Sequence, residues 1–474
     1  MDYSSVGLKC GLEIHQQLSG RKLFSNKFSK LTKESPDSMI KRNLRSSSNE
    51  RGISDSAALY ETKKNLDYYY EIHNNNTSLI ELDEEPPKLI SESALSTAIA
   101  VSKLLNCTII PNIQIMRKTV VDGSNTSGFQ RTGVVGVNGY IKTSKGNVSI
   151  NSVIIEEDSA RRISETKDSV TYRLDRLGIP LIEITTGPDM KSPDHVMEVA
   201  KKIGMILRST NSILRGIGTI RQDVNISINK SSRVELKGVQ DINSIHSIID
   251  NEIKRQKTEL EMNRKEVSHV RNIKPDLTSK YLRPMPGSAR MYPETDLPII
   301  KLSKKFIDSI ELPELIEKKI NRYRSLGLNK EISNKLANSN KSFLFDIINF
   351  EEDPTFLART LLDTTKEVRR KLKIENFKFP DRVLIELFEL LSENKITKNS
   401  ISEILERFCR GEIISEIYRD YKPISDSELK KIISNVYKSK KDLNFGAIMG
   451  LVMKETSGKA DGSKVAIFLK EILK

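Results

Sequence analysis

Gln222-Asp223-Val224-Asn225-Ile226-Ser227-Ile228, a polar turn from Asn229 to Ser232, and then Arg233-Val234-Glu235-Leu236-Lys237 alternate apolar and polar residues on both sides of the turn. Successive strand side chains point to opposite faces, so this pattern predicts a β-hairpin with one buried and one polar face. The apolar faces coincide in a register that sets Asp223 against Lys237 and Asn225 against Glu235, which gathers these four residues on one polar face. Upstream, Leu8, Cys10, Leu12 and Ile14 alternate with Lys9, Gly11, Glu13 and His15, a second half-buried strand in which Glu13 and His15 point the same way. A third strand candidate, Val153-Ile154-Ile155, runs into Glu156-Glu157-Asp158. Three adjacent carboxylates repel one another unless cations neutralise them. Carboxylates and one imidazole converging on a sheet face suit a hard divalent metal, the kind that bridges phosphate oxygens in phosphoryl transfer. The same pattern also fits the wet faces of unrelated antiparallel strands, and His15 taken alone fits a hydrogen-bonded surface histidine.

Working outward, the first half reads as mixed strand and helix, and from about Ile307 the apolar residues recur at three and four, which predicts helices and a boundary near residue 300. Within the first half, Ser91 to Asn106 places Leu95, Ala98, Ile99 and Leu105 on one side of a helix. Ser192-Pro193-Asp194 supplies a cap, a first-turn proline and a first-turn acid ahead of Val196, Val199, Ile203 and Ile206. Glu393 to Ser400 interrupts the amphipathic pattern of Asp381 to Ser392, and a small helical domain is expected after it. The fold class is therefore α+β, with no internal repeat and no long low-complexity tract.

The chain has 474 residues, 77 Lys+Arg against 63 Asp+Glu, and a formal net charge of +14. At one domain per ~100–200 residues it should hold two to four domains. With 37% hydrophobic and 30% charged residues it has the balance of a soluble globular protein, which excludes a collagen, a mucin and a membrane bundle. No apolar run approaches the ~18–20 residues that cross a bilayer, and Met1-Asp2-Tyr3-Ser4-Ser5 lacks the layout of a signal peptide, so a cytoplasmic protein is expected. Cys10, Cys107 and Cys409 are too few and scattered for a disulfide framework or a tetrathiolate zinc site. The positive excess suits a polyanion such as nucleic acid, although a Lys/Ile/Asn-rich genome would bias the count the same way. No Gly-x-x-x-x-Gly-Lys-Ser/Thr loop occurs, and Gly216-Ile217-Gly218 lacks the third glycine of a dinucleotide fingerprint. There is no Gly-x-Ser-x-Gly either, and Ser35 to Ser56 reads as a polar loop. Any phosphoryl chemistry must rest on metal and basic side chains.

Gly11-Leu12-Glu13-Ile14-His15-Gln16-Gln17-Leu18, Leu82-Asp83-Glu84-Glu85-Pro86-Pro87, Met116-Arg117-Lys118-Thr119 leading into Asp122 to Thr132, and Met291-Tyr292-Pro293-Glu294-Thr295-Asp296-Leu297-Pro298 resemble the B/E family of tRNA-dependent amidotransferase subunits, in its archaeal, E-type glutamyl-tRNA(Gln) amidotransferase branch. Leu443 to Gly446 and Met453 to Asp461 resemble the family's tail domain, so the likeness covers essentially the whole chain. The resemblance implies an antiparallel-sheet cradle domain over residues 1–300, a helical domain over 301–398 and a small helical tail, 399–474, that binds tRNA. It implies ATP- and Mg2+-dependent phosphorylation of the glutamate side chain of misacylated Glu-tRNA(Gln), then amidation with ammonia to give Gln-tRNA(Gln). The ammonia would come through a tunnel from an asparaginase-like partner in a heterotetramer. Carried over residue by residue, the metal ligands fall on Glu13, His15, Glu157, Asp223 and Glu235, the set the strand pattern had gathered. Catalytic roles fall on Glu157, Lys118 and Glu13, with Glu156 outside the ligand set. Lys118 would offset charge on the transferring phosphoryl group, though a surface lysine beside a strand would look the same. Lys237 could contact phosphate or pair with Asp223.

Two departures stand out. Where many relatives carry a Cys-x-Cys and a further cysteine, this chain has Ser25, Lys27 and Ser78. Zinc needs about four ligands for a closed structural site and prefers thiolate. No zinc is therefore expected there, with hydrogen bonds or packing in its place. The large insertion resembling part of an aspartyl-tRNA synthetase is replaced by Glu266 to Tyr281, too short for an independent domain of at least ~50 residues. Other readings are a bacterial, B-type protein of the family working with an amidase partner, on Asp-tRNA(Asn) as well, and a noncatalytic tRNA-binding protein, against which the retained acidic residues argue. Lys430, Lys431, Lys438, Lys440 and Lys441 are the candidate tRNA-contacting surface, or else ordinary solvated helix faces.

Overall fold

A computed structural model of the chain describes residues 2–43, 66–264, 266–285, 291–348, 350–439, 443–456 and 459–472. Most of the Ser35 to Ser56 loop and Lys440 and Lys441 lie outside the described residues. The chain divides into two compact units, 1–315 and 316–474.

The first unit is built on an 11-stranded sheet. From one edge its strands are Ser279–Pro284, His269–Ile273, Val234–Lys237, Ile220–Ser227, Lys9–Gln17, Pro180–Thr186, Gly146–Glu157, Phe129–Thr143, Met116–Thr119 and Met291–Pro293, and Thr108–Ile109 pairs beside Phe129–Thr143. Neighbours are antiparallel except Val234–Lys237 and His269–Ile273, which run parallel. The hairpin has the register expected from its alternation: Asn225 opposes Glu235 and Val224 opposes Leu236. On one face Leu12, Ile14, Val153, Ile155, Ile182, Ile184, Val224 and Leu236 are buried and join a single core. Helices Glu92–Leu104, Pro193–Ser209 and Ile245–Glu261 supply the other side of it. Leu95, Ala98 and Ile99 are buried as their spacing requires, and the Ser192 side chain accepts a hydrogen bond from the His195 backbone N–H, capping the second helix. Gly139 lets the chain after the first helix lie against the sheet: a Cβ there would sit 2.4 Å from Cys107 Sγ and 2.5 Å from the Leu105 carbonyl oxygen.

A smaller sheet of Ser38–Asn43, Asp67–Ile72, Ser169–Arg173 and Arg161–Glu165 has its own core, in which Tyr172 stacks on Tyr68 and Tyr70. Close by, Ser25 and Ser78 converge on one carboxylate. The Ser25 hydroxyl donates to Glu81 Oε1 at 2.6 Å, and the Ser78 hydroxyl and backbone N–H donate to Oε2 at 2.6 and 2.7 Å. Lys22 Nζ, fully buried, lies 3.8 Å from Glu81 and donates to the Leu174 carbonyl at 3.1 Å. Lys27 Nζ donates to the Asn74 carbonyl at 2.6 Å. A carboxylate with three donors thus joins the segments around residues 25 and 78.

The second unit is helical. Helices from Ile316–Ser325 through Asp381–Ser392 share one hydrophobic cluster with Ile401, Ile404, Leu405, Ile414, Ile417 and Tyr421. Asp426–Ser439, Phe445–Glu455 and Gly462–Ile472 form another. The expected boundaries at 300 and 398 both fall inside packed regions. Leu302 is buried in the sheet's core with Ile307, Ile310 and Leu315 against it, and the apolar face of Ile401–Cys409 finds its partners in the preceding helices. No helix among the described residues is long and apolar enough to cross a membrane.

Candidate active site

Opposed residues of antiparallel strands share a face, and three strands bring the site together. Glu13 lies opposite Thr185 on one side and Asp223 on the other, and His15 lies opposite Glu183 and Arg221. Since Leu12 and Ile14 face the core, this row forms the polar face. Glu235 joins it one strand further out. From the other side, Glu156 at the end of its strand and Lys118 on the strand Met116–Thr119 reach in.

His15 Nε2 lies 3.5 Å from Glu13 Oε1, 3.3 Å from Glu183 Oε2 and 3.9 Å from Glu156 Oε1. Lys118 Nζ donates to Glu156 Oε2 at 3.1 Å and lies 3.5 Å from Glu183 Oε2. On the far side Lys237 Nζ bridges Asp223 Oδ2 at 2.7 Å and Glu235 Oε1 at 2.6 Å, and the Gly238 N–H donates to Asp223 Oδ1 at 3.3 Å. An acidic centre is thus held between two ammonium groups.

Burial and the nearby charge of Glu183 push the Glu13 carboxyl up to about 7, against the pull of His15 and Lys237. Burial would raise Glu183 too, but His15 and Lys118 outweigh it and hold Glu183 well below the ordinary range. His15 is raised in turn: burial opposes its charge, and Glu183, Glu156 and Glu13 together favour it. Burial opposes the charge of Lys118 and Lys237 as well, yet their carboxylate neighbours raise both.

The donor set fits a divalent cation. Ligand atoms of Glu13, His15 and Asp223 lie within 4.8 Å of one another, as do those of His15, Glu156 and Glu183. Glu183 Oε2 is buried and, although His15 Nε2 and Lys118 Nζ lie 3.3 and 3.5 Å away, accepts no well-aligned hydrogen bond, which leaves it open to a cation. Oxygen donors with one imidazole nitrogen are the chemistry of a hard, Mg2+-like ion rather than of a thiolate zinc centre.

Of the residues singled out in the sequence, Glu13, His15, Asp223, Glu235, Lys118 and Lys237 come together here. Glu157 does not. Adjacent strand residues point to opposite faces, so Glu156 enters the site and Glu157 turns to the other side. There it accepts a hydrogen bond from the Arg131 backbone N–H at 3.2 Å and lies 3.5 Å from the Arg131 guanidinium, which also binds Glu294 at 2.8 Å. Burial raises the Glu157 carboxyl despite that arginine. Glu183 is the residue the sequence reading missed. Its signal was a lone carboxylate in the otherwise apolar run Pro180-Leu181-Ile182-Glu183-Ile184.

Residues 8–308 match the GatB/GatE catalytic domain family, and residues 343–473 match the GatB domain family. Among curated proteins, the chain is similar to the E-type subunit of glutamyl-tRNA(Gln) amidotransferase from Methanocaldococcus jannaschii, at 36% identity over 627 aligned positions that cover 100% of this chain and 99% of that one. The proteins of the same name from Sulfurisphaera tokodaii and Methanosarcina acetivorans are each 34% identical, covering 100% and 99% of this chain and 99% and 98% of theirs. Matched over most of its length by one catalytic family, and end to end by relatives of one name, the chain belongs to the GatB/GatE family.

Proposed function

We propose that the chain is the ATP-dependent transamidase of a glutamyl-tRNA(Gln) amidotransferase. The observation that supports this is the convergence of Glu13, His15, Glu156, Glu183, Asp223 and Glu235 between Lys118 and Lys237, in a chain similar end to end to proteins of that name. The glutamate side chain of Glu-tRNA(Gln) would attack the terminal phosphorus of ATP, with ADP departing. Ammonia would then attack the activated carbonyl carbon and expel phosphate, a leaving group that hydroxide is not. Mg2+ held by the carboxylates and His15 would neutralise charge on the phosphate oxygens. Lys118, fixed by Glu156 and Glu183, would place an ammonium against the phosphoryl group as charge builds on it. Lys237 holds Asp223 and Glu235 in place. As the resemblance to the E-type subunits implies, ammonia would be supplied by an asparaginase-like partner and kept from bulk water on its way. The test is ADP release and Gln-tRNA(Gln) formation by the purified chain with Mg2+, ATP, an ammonium salt, and Glu-tRNA(Gln) added or withheld. ADP release that depends on the charged tRNA, with Gln-tRNA(Gln) appearing, is expected. Failure to amidate a Glu-tRNA(Gln) that the protein still binds would count against the reading.

A further inference from the structure

The polar face does not stop at Glu235 and Lys237. Two rows of laterally paired residues carry it to the sheet's outermost strand: Glu235 pairs with Val270 and Val270 with Arg283, while Lys237 pairs with Asn272 and Asn272 with Lys280. Paired residues share a face, and a β-bulge between the two pairs offsets the outer strand by one residue, so Arg283 and Lys280, three positions apart, stand on the same side of the sheet as the acidic centre, two strand spacings or ~10 Å beyond Glu235 and Lys237. The inner lysines are neutralised by carboxylates, whereas Lys280 and Arg283 have no ion-pair partner among the described residues. Lys280 is exposed and Arg283 half-buried. In this strand pair the sole acid is Asp276 in the turn, 3.9 Å from Lys274. The rim of the catalytic face is therefore cationic where its centre is anionic.

Resting on the transamidase reading, we propose that Lys280 and Arg283 bind the phosphodiester backbone of the substrate tRNA's acceptor end and orient it toward the acidic centre. Charge complementarity argues for a polyanion, and distance argues for this one. The phosphoryl group being transferred must sit among Glu13, His15, Glu156 and Glu183, and the outermost strand lies four spacings, ~19 Å, from Lys9–Gln17. A triphosphate chain seated at the centre does not reach that far, whereas a polynucleotide whose aminoacyl end reaches the centre can, and of the sheet's two outermost strands Ser279–Pro284 carries cations and Met291–Pro293 none. The two cations meet phosphate, so they position the strand without reading bases.

The experiment measures binding of a tRNA(Gln) acceptor-stem minihelix, with its single-stranded 3′ end, to the full chain across a salt series, for wild type and K280E/R283E, with K280R/R283K as the charge-preserving control. The double Glu variant is expected to bind at least tenfold more weakly, with a salt slope shallower by about two, roughly one for each phosphate no longer neutralised. The Arg/Lys exchange should retain wild-type affinity. Unchanged affinity and slope in K280E/R283E overturns the proposal. So does a rise in KM for ATP with minihelix binding intact, which would assign the cations to nucleotide. A wild-type chain that binds the minihelix with this cation dependence but forms no Gln-tRNA(Gln) would sink the amidation reading and leave the tRNA-binding rim standing.

Discussion

Glu156 and Glu157 are neighbours in sequence and chemically identical, yet they have opposite environments, and that difference can be measured. Glu156 faces His15 and Lys118, so Glu156→Gln should reduce ATP-dependent amidation by ~10²-fold or more, the usual cost of removing one preorganised charge from a transition-state site, with little change in Tm. Glu157 is buried against Arg131 away from the site, so Glu157→Gln should act on stability instead, by about 1–3 kcal/mol for a buried charged group left poorly paired. Amidation at saturating substrate by the refolded E157Q chain is the measurement, and a loss matching that of E156Q would show that Glu157 reaches the chemistry. Glu183→Gln should resemble E156Q, because it removes the carboxylate nearest to His15 and one of the two that hold Lys118. Glu13 gives the site a pH dependence. With the Glu13 carboxyl raised to about 7 and the His15 imidazole also raised in the metal-free chain, protons must leave both before a cation binds, so affinity for Mg2+ rises with pH. From pH 6 to pH 8 the dissociation constant should fall by at least about tenfold, the share of Glu13 alone, readable by titration calorimetry in two buffers.

Elements were legible in the sequence where two periodicities agreed. The alternation in Gln222 to Lys237 marked both strands and allowed only registers whose opposed positions sum to an even number; the one observed, 460, carried Asp223, Asn225, Glu235 and Lys237 to one side. The pairing of Lys9–Gln17 with Pro180–Thr186 was not legible, since partners more than 160 positions apart leave no local mark, and Glu183 was missed with it. The domain boundaries expected at 300 and 398 rested on local signals of the same kind. A break in helical periodicity marks a loop, while whether the next helix packs backwards or forwards depends on distant residues such as those that bury Ile401 and Leu405. The Ser25–Glu81–Ser78 junction was foreseen only as hydrogen bonding or packing at a place without thiols; its central carboxylate was not. Because Lys22 is fully buried beside it, Glu81→Ala should destabilise the chain by ~3 kcal/mol or more, the cost of stranding a buried charge. In a Glu183→Gln chain, which lacks a ligand at the acidic centre, EDTA should leave the Tm unchanged if no metal contributes at this junction. A chelator-induced drop in that variant would mean that a cation does bind here.

For the whole molecule, the alignment with the Methanocaldococcus jannaschii protein covers all of this chain yet runs to 627 positions against 474 residues, so a domain-sized stretch of that relative has no counterpart here. The resemblance placed that loss at Glu266 to Tyr281, where the structure has the short hairpin His269–Ile273 and Ser279–Pro284. A chain without such a stretch must draw its affinity for a large polyanion from what it has, and its net charge of +14 is the general means. The last three helices are the candidates that can be removed cleanly. In them Lys430 is paired with Glu471, whereas Lys431 and Lys438 are exposed without an ion-pair partner among the described residues. Their cluster, centred on Leu429, Ile433, Ile448, Val452, Val465 and Leu469, is separate from the one that includes Ile417 and Tyr421. Deleting residues 423–474 should therefore leave the preceding helices folded, weaken tRNA binding by about tenfold or more and flatten its salt dependence, with Mg2+ binding unchanged. Deleting 401–474 should do something different in kind. It strips Ile401, Ile404, Leu405, Ile414 and Ile417, all buried, from the helical cluster, and should unfold those helices in circular dichroism. If the shorter deletion keeps full tRNA affinity at physiological salt, the terminal helices are solvated scaffold and the binding surface lies elsewhere on the chain.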